Sequence, residues 1–158
     1  MRTDGIRGAV CSFFNGLEKF SGCPFVKSPA NSAAPVGTYI AVRVEGVEQS
    51  GSMMEPPPGD GATFAFQQVA TVSLVEVEGD GDFLRMARDA IQTRAFRDAA
   101  AKAGFTVWDW TSIVPVDTFD GEFVVRQWRF TFTANFADTF TADVPAIGSV
   151  EPITIKGG

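Results

Sequence analysis

The run EFVVRQWRFTFTANF, residues Glu122 to Phe136, alternates apolar and polar side chains along most of its length. One parity carries Val124, Trp128, Phe130, Phe132, Ala134 and Phe136; the other carries Gln127, Arg129, Thr131, Thr133 and Asn135. Side chains of a strand alternate between its two faces, so this period of two predicts a strand with one buried and one wet face. Fifteen extended residues span about 50 Å, whereas a compact domain of this length is only about 40 Å across. The strand must bend or project beyond its own domain. Residues Ala62 to Glu78 form a second long run and pose the same problem. The residue pattern alone therefore predicts an antiparallel α+β domain made for assembly.

A chain of 158 residues is expected to form one domain and to bury about two thirds of its unfolded surface. Fifteen Phe and three Trp supply bulky material for its core. No apolar run approaches the roughly 20 residues that a membrane-spanning helix needs, and the N-terminus lacks the continuous apolar stretch of a secretory signal. A soluble chain is expected. The net charge of −6 argues against a duplex-DNA binder, which displays a basic face. The same acidity would suit a protein that DNA slides past, because a ring of copies repels phosphate.

Histidine is absent, which removes the commonest general base and metal ligand and any Ser-His or Cys-His nucleophile pair. The two cysteines, Cys11 and Cys23, are too few for a structural zinc site. They read either as small buried hydrophobes or as a disulfide formed after release from a reducing cytosol. Neither a catalytic, a cofactor-binding nor a metal-binding residue is assigned. Asp109, Asp117, Asp120 and Glu122 cluster around a turn and read as solvated turn residues. The Gly79-Asp-Gly stretch lacks the GK[ST] continuation of a phosphate loop. The acidic turn Glu78–Asp82 lacks the twelve-residue frame of a calcium loop, so it predicts a helix cap.

In chain order, a first helix is expected from Thr3 or Asp4 to about Lys19, with Ile6, Val10, Phe13, Phe14 and Leu17 at helical spacing. Residues 21–37, with Pro24, Pro29 and Pro35, predict an irregular connector. A first strand covers residues 38–48, and the triple proline of the run from Val47 to Gly61 predicts a long hairpin loop. Met53 and Met54 in that loop are either laid back on the core or soft contacts for a partner. The second strand, residues 62–78, shifts its parity, which predicts a bulge near Gln67 and Gln68 or burial on both faces at one end. Residues 83–103 form the main helix; Phe83, Met86, Ala87, Ala90, Ile91, Ala95 and Ala99 make its apolar stripe, Phe96 sits off it, and a break is expected between residues 93 and 96. Residues 105–116 predict a short third strand with Trp108 and Trp110 on one parity, ended by Pro115. Asp120-Gly121 is a hairpin signal leading into the long strand. Arg126 falls on that strand's apolar face, either covering Trp128 with its stem or pairing with a carboxylate at a subunit boundary. Val150–Ile155 could add a strand to a sheet edge.

Taken together, the N-terminal helix, the segment PVGTY (Pro35–Tyr39), the run GDGDFLRMARDAIQTRAFRDAAAKAG (Gly79–Gly104), the Trp-containing stretch and the closing RQWRFTFTANF are similar in order to the tail terminator, or neck terminator, proteins of tailed bacteriophages. The resemblance covers residues 4–140. It implies a single domain with residues 137–158 as a C-terminal extension, built on an antiparallel four-stranded sheet of long strands flanked by two main helices. It also implies a ring, typically of six subunits, that stops tube growth, joins the tail to the head and leaves a channel for DNA. The implied partners are further copies of the chain, the tail tube protein and a head completion or adaptor protein, with a sheath or collar protein added in some tails. DNA would pass without specific binding. The setting would be the virion, assembled in the bacterial cytoplasm. Met53, Met54, Arg126, Trp108 and Trp110 are the candidate contacts between subunits or with partners. The family supplies no catalytic residues; the alternatives are another ring component (a head-tail adaptor, a collar protein or the tube protein itself) and, from a different class, a monomeric ligand-binding module with its pocket at Trp108 and Trp110.

Overall fold

A computed structural model describes residues 3–29, 32–54 and 63–141, with side chains for all of these except 52–54, 140 and 141. The chain is α+β. Its main sheet has six strands: β1 (Phe25–Lys27), β2 (Tyr39–Met54), β3 (Thr63–Val77), β4 (Thr106–Trp110), β5 (Val114–Pro115) and β8 (Gln127–Thr141). Their spatial order is β1-β2-β3-β8-β4, and β5 also pairs with β8. A separate hairpin pairs β6 (Thr118–Asp120) with β7 (Phe123–Val125). The helices are α1 (Thr3–Asn15), α2 (Asp82–Ile91) and α3 (Arg94–Ala103).

The expected four-stranded antiparallel sheet is thus corrected to six strands of mixed direction, because β1 runs parallel to β2. That strand lies in the expected connector. It is pinned by Asn15, whose side-chain amide donates to the Phe25 carbonyl at 2.9 Å while its oxygen accepts the Phe25 N–H at 2.8 Å. A side chain at the end of α1 thereby takes the place of a neighbouring strand. The first helix ends at Asn15, and a separate 3₁₀ turn, Glu18–Phe20, follows it.

The main helix divides in two, as the off-stripe Phe96 suggested. Thr93 caps the second half by accepting the Phe96 N–H, its own hydroxyl donating to the Ala90 carbonyl. The resulting turn of direction swings Phe96 inward to full burial, while Ala95 is left exposed. Gly104 takes a left-handed φ of 96° and closes α3.

The long strands pair in register, with Val42 beside Leu74 and Val44 beside Val72, and with Leu74 beside Phe130 and Val72 beside Phe132. Strand β3 keeps unbroken register with β8 from Thr63 to Val77; the irregularities fall in β2 instead, at Val44/Gly46 and Ser50/Met54. The bulge expected near Gln67 and Gln68 is therefore corrected. Strand β2 also continues through Met53 and Met54, so these two belong to a strand and not to a loop; their side chains lie outside the described residues.

All three helices pack on one face of the sheet. Ile6, Val10 and Phe14 of α1, Leu84, Ala87 and Ile91 of α2, and Phe96 and Ala100 of α3 meet Ile40, Val42, Val72, Leu74, Phe130 and Phe132 in one core. Phe14 stacks on Phe25 at a 4.4 Å centroid distance and meets Phe13 and Phe20 edge-on, a pairing geometry that adds to simple burial. The helical layer is shorter than the strands. No described side chain is buried in β2 after Val42, in β3 before Ala70 or in β8 after Phe136. Strand β8 itself runs past Phe136 to Thr141, so the first residues of the expected C-terminal extension belong to the sheet. Residues 150–155 lie outside the described residues.

Candidate functional site

Two features stand out, one inside and one outside. The inner one is Glu76, which shares its parity on β3 with Val72 and Leu74 and is fully buried. Its carboxylate accepts the Gly81 N–H at 2.7 Å and the Leu84 N–H at 2.8 Å. These are donors of the first turn of α2, which have no partner within the helix, and a negative charge there also meets the positive end of the helix dipole. Glu76 is thus the cap of α2, supplied from a neighbouring strand. The acidic turn expected to cap this helix does something narrower: Asp80 accepts the Asp82 N–H at 3.1 Å, which holds its carboxyl below the usual range, and Asp82 pairs with Arg85 at 2.6 Å. Gly79 completes the arrangement, because a Cβ there would overlap the Glu76 carboxylate.

The outer feature is the segment from Thr106 to Val125. Strand β4 sits on the sheet edge and bulges between Val107 and Asp109, so Trp108 has no partner in the register and stands 73% exposed. Trp110 pairs with Phe132 and borders a cleft with Arg88, Asp89 and Gln92. The bulge separates the two tryptophans, and they do not build the single pocket that their shared parity allowed. Thr111 then ties the chain to β8, its N–H donating to the Thr131 carbonyl and its hydroxyl accepting the Thr131 N–H. Val116 repeats this anchoring on the Gln127 carbonyl. Past Asp117 the chain leaves the sheet as the β6–β7 hairpin, with Gly121 at a left-handed φ of 64° in its turn.

That hairpin corrects the reading of the long strand. Val124 belongs to β7, and the chain breaks at Arg126 before β8 begins. Arg126 is exposed, and its carbonyl accepts the Glu78 N–H at 2.8 Å. Its residue lines a small cleft with Glu78 and Asp80, and among the described residues it forms no ion pair. It therefore does not cover Trp128 from within a strand. Phe119 and Val124 face each other across the hairpin; Phe119 and Phe123 are both 77% exposed. Of the large apolar residues that stay exposed among the described residues, Trp108, Trp110, Val114, Phe119, Phe123 and Val124 all lie in this segment. The segment also holds Asp109, Asp117, Asp120 and Glu122, and no lysine or arginine. The carboxylate cluster noted in the sequence is thus the polar part of an exposed aromatic surface. The sequence pointed to Trp108 and Trp110 but missed Phe119 and Phe123, which flank the Asp120-Gly121 turn and could have been found from that position.

Cys11 and Cys23 are free and buried. Burial pushes the Cys11 thiol up to about 11, partly offset by Lys27 and Arg7; burial, with a smaller contribution from Glu76, pushes Cys23 up to about 12. Such thiols hold no thiolate at neutral pH and behave as small hydrophobes.

An open groove of about 620 Å³ lies between the end of α1 and the α2–α3 junction; Phe13, Leu17, Met86 and Ala90 make its apolar part, and Glu18, Lys19 and Asp89 also line it. No family model matches this chain, and no curated protein matches it.

Proposed function

We propose that the chain is a structural subunit of a phage tail, a tail terminator that forms a closed ring, of six copies by resemblance, at the head-proximal end of the tail tube. The observation that carries this reading is the pair of surfaces a monomer leaves unsatisfied: the uncovered half of three long strands and the exposed aromatic segment Thr106–Val125. Exposed apolar residues gathered in one place are characteristic of protein–protein contacts. A ring wall built from strands longer than their own core gains its missing cover from neighbouring copies. Its partners would be the tube protein below and a head completion or adaptor protein above, with the channel left to DNA. The chain's net charge of −6 favours passage over retention of DNA. No catalytic step, cofactor or metal enters this role.

The test is the mass and shape of the purified protein. A closed ring by native mass spectrometry and negative-stain electron microscopy, one that stops the elongation of tube protein in a mixing experiment, is the expected result. Long tubes of this chain alone would make it the tube protein instead. Rings that leave tube growth unaffected would point to another neck or collar component, and a monomer at all concentrations would end the reading.

A further inference from the structure

We infer that the β6–β7 hairpin is a docking arm, gripped on both of its faces by a protein other than this chain whose cleft is apolar and rimmed with lysine or arginine. The inference goes beyond the ring reading and holds whether or not the copies close into a ring.

The hairpin needs cover. Every residue from Asp117 to Val124 is exposed, and among the described residues β6 and β7 pair only with each other. A two-stranded ribbon standing in water is marginally stable at best. Residues directly opposite each other across such a ribbon share a face. Phe119 and Val124 therefore stand on one face, while Phe123 stands on the other, opposite Asp120. A ribbon lying on a flat surface would hide one of these faces and leave the second phenylalanine wet. Apolar residues on both faces point instead to a partner that takes the hairpin between two walls. Aromatic anchors buried in this way carry most of the energy of protein contacts.

Charge defines the partner. The segment Thr106–Val125 holds four of the chain's nineteen carboxylates and none of its thirteen cations, which leaves thirteen cations against fifteen carboxylates elsewhere. Arg126, the next residue, lines a cleft with Glu78 and Asp80. A second copy is thus a poor complement. Arg7, Lys27, Arg85, Arg88, Arg94 and Arg129 each stand 2.6–3.9 Å from a carboxylate of their own chain. The groove beside α1 carries Glu18 and Asp89 against Lys19 alone. An anionic lipid surface has the same sign as the hairpin and repels it. Asp120 and Glu122 flank the turn between Phe119 and Phe123, so any cleft that buries the rings also takes up these carboxylates. Burying them without counter-charges is strongly unfavourable. A cationic rim meets that need and orients the encounter.

The experiment measures binding of the full chain to three dye-labelled synthetic peptides of equal length by fluorescence anisotropy. One is built of lysine and leucine, one of glutamate and leucine, and one of lysine and serine. The lysine–leucine peptide is expected to bind at least about tenfold more tightly than either of the others. Phe119→Ser and Phe123→Ser, made singly because they lie on opposite faces, are each expected to weaken that binding at least about fivefold. Asp120→Asn with Glu122→Gln is expected to weaken it at least about tenfold and to flatten its salt dependence. All three variants should keep the parent's melting temperature and oligomer mass. Glu48→Gln with Asp98→Asn removes the same charge elsewhere and should leave the affinity unchanged.

Equal binding of the glutamate–leucine peptide, or hairpin variants that bind as the parent does, would overturn the assigned partner chemistry. A loss at only one of the two phenylalanines would overturn the two-sided grip. A fall in oligomer mass in the hairpin variants would give this surface to a second copy, and hairpin-dependent binding to phosphatidylglycerol vesicles would give it to lipid; either overturns the inference. The mass of the parent chain tests the ring reading alone. A monomeric parent that binds the lysine–leucine peptide through its hairpin would end the ring and leave the docking arm in place.

Discussion

Phe14 and Phe119 carry the same side chain in opposite circumstances. Phe14 has no exposed surface and touches the rings of Phe13, Phe20, Phe25 and Phe96; Phe119 stands 77% exposed on a two-stranded hairpin. The half of the molecule around Phe14 is self-sufficient, with helices, sheet and a buried carboxylate that satisfies a helix end. The half around Phe119, with the outer ends of the long strands, is held to the domain by backbone pairing and contributes little to its core. The chain thus keeps its aromatic residues in two populations, one buried in the core and one exposed, and the proposed assembly would give the second its cover.

The largest expected effect tests that division directly. Phe14→Ala should cost about 3–5 kcal/mol of unfolding free energy in denaturant titration, the usual range for truncating a buried Phe. Phe119→Ala should change it by less than about 0.5 kcal/mol, as surface substitutions do. Comparable stability losses at the two positions would show that the hairpin belongs to the monomer's own core.

Glu76→Ala comes next. It leaves the Gly81 and Leu84 N–H groups buried without an acceptor, and the loss should be on the order of 3 kcal/mol, since hydrogen bonds to a buried charged group are among the stronger ones. Gly79→Ala should destabilise in the same direction, because its Cβ displaces the same carboxylate. Denaturant midpoints with unchanged slopes would confirm both; a silent Glu76→Ala would refute the capping role.

These two positions also show where a sequence is legible. The alternation from Trp128 to Phe136 was readable because a period of two survives wherever one face packs on a core. The break at Thr93 was readable because a helix cannot bury Phe96 and keep its stripe. Glu76 could have been found: an acid on the parity of Val72 and Leu74 must meet donors or water, and Gly79 and Gly81 close by supply both room and N–H groups. Strand β1 was not readable, since three residues cannot display a period and its partner amide belongs to Asn15. The β6–β7 hairpin was misread for a different reason. Phe123 and Val124 have the composition of a strand whether they pair with the sheet or leave it, and only three-dimensional anchoring at Val116 and Gln127 distinguishes the two.

The thiols give a smaller and pH-confined effect. Both belong to the self-sufficient half, and both ionise in the unfolded chain near the ordinary value of 9.0 but in the native chain only at about 11 and 12. The unfolded state therefore releases protons first. The stabilisation is fully present below pH 9 and is lost as pH rises toward those values, by about 1.4 kcal/mol per pH unit for each thiol at most. The pH slope of stability in this window should be shallower in a Cys11→Ala, Cys23→Ala chain. At pH 8 a thiol reagent should label neither residue until denaturant is added; prompt labelling of the folded chain would contradict their burial.

The smallest effect lies on the sheet face opposite the helices. There Arg129 approaches Glu45 at 3.9 Å, with 44% and 36% of their side chains exposed. In the monomer such a pair is screened by water and salt and holds two long side chains in place for little gain. Glu45→Gln should therefore change monomer stability by less than about 0.5 kcal/mol, and 0.5 M salt should erase the difference. The same substitution is more informative in the assembled protein. A neighbouring copy that covers this face removes water from the pair, and breaking it then leaves Arg129 buried without a counter-charge, which costs several times more than in solvent. Measuring Glu45→Gln in dilute monomer and in the proposed assembled form thus reports whether the open face is covered on association. An equal effect in both states would leave this face to solvent and exclude it from any contact between copies.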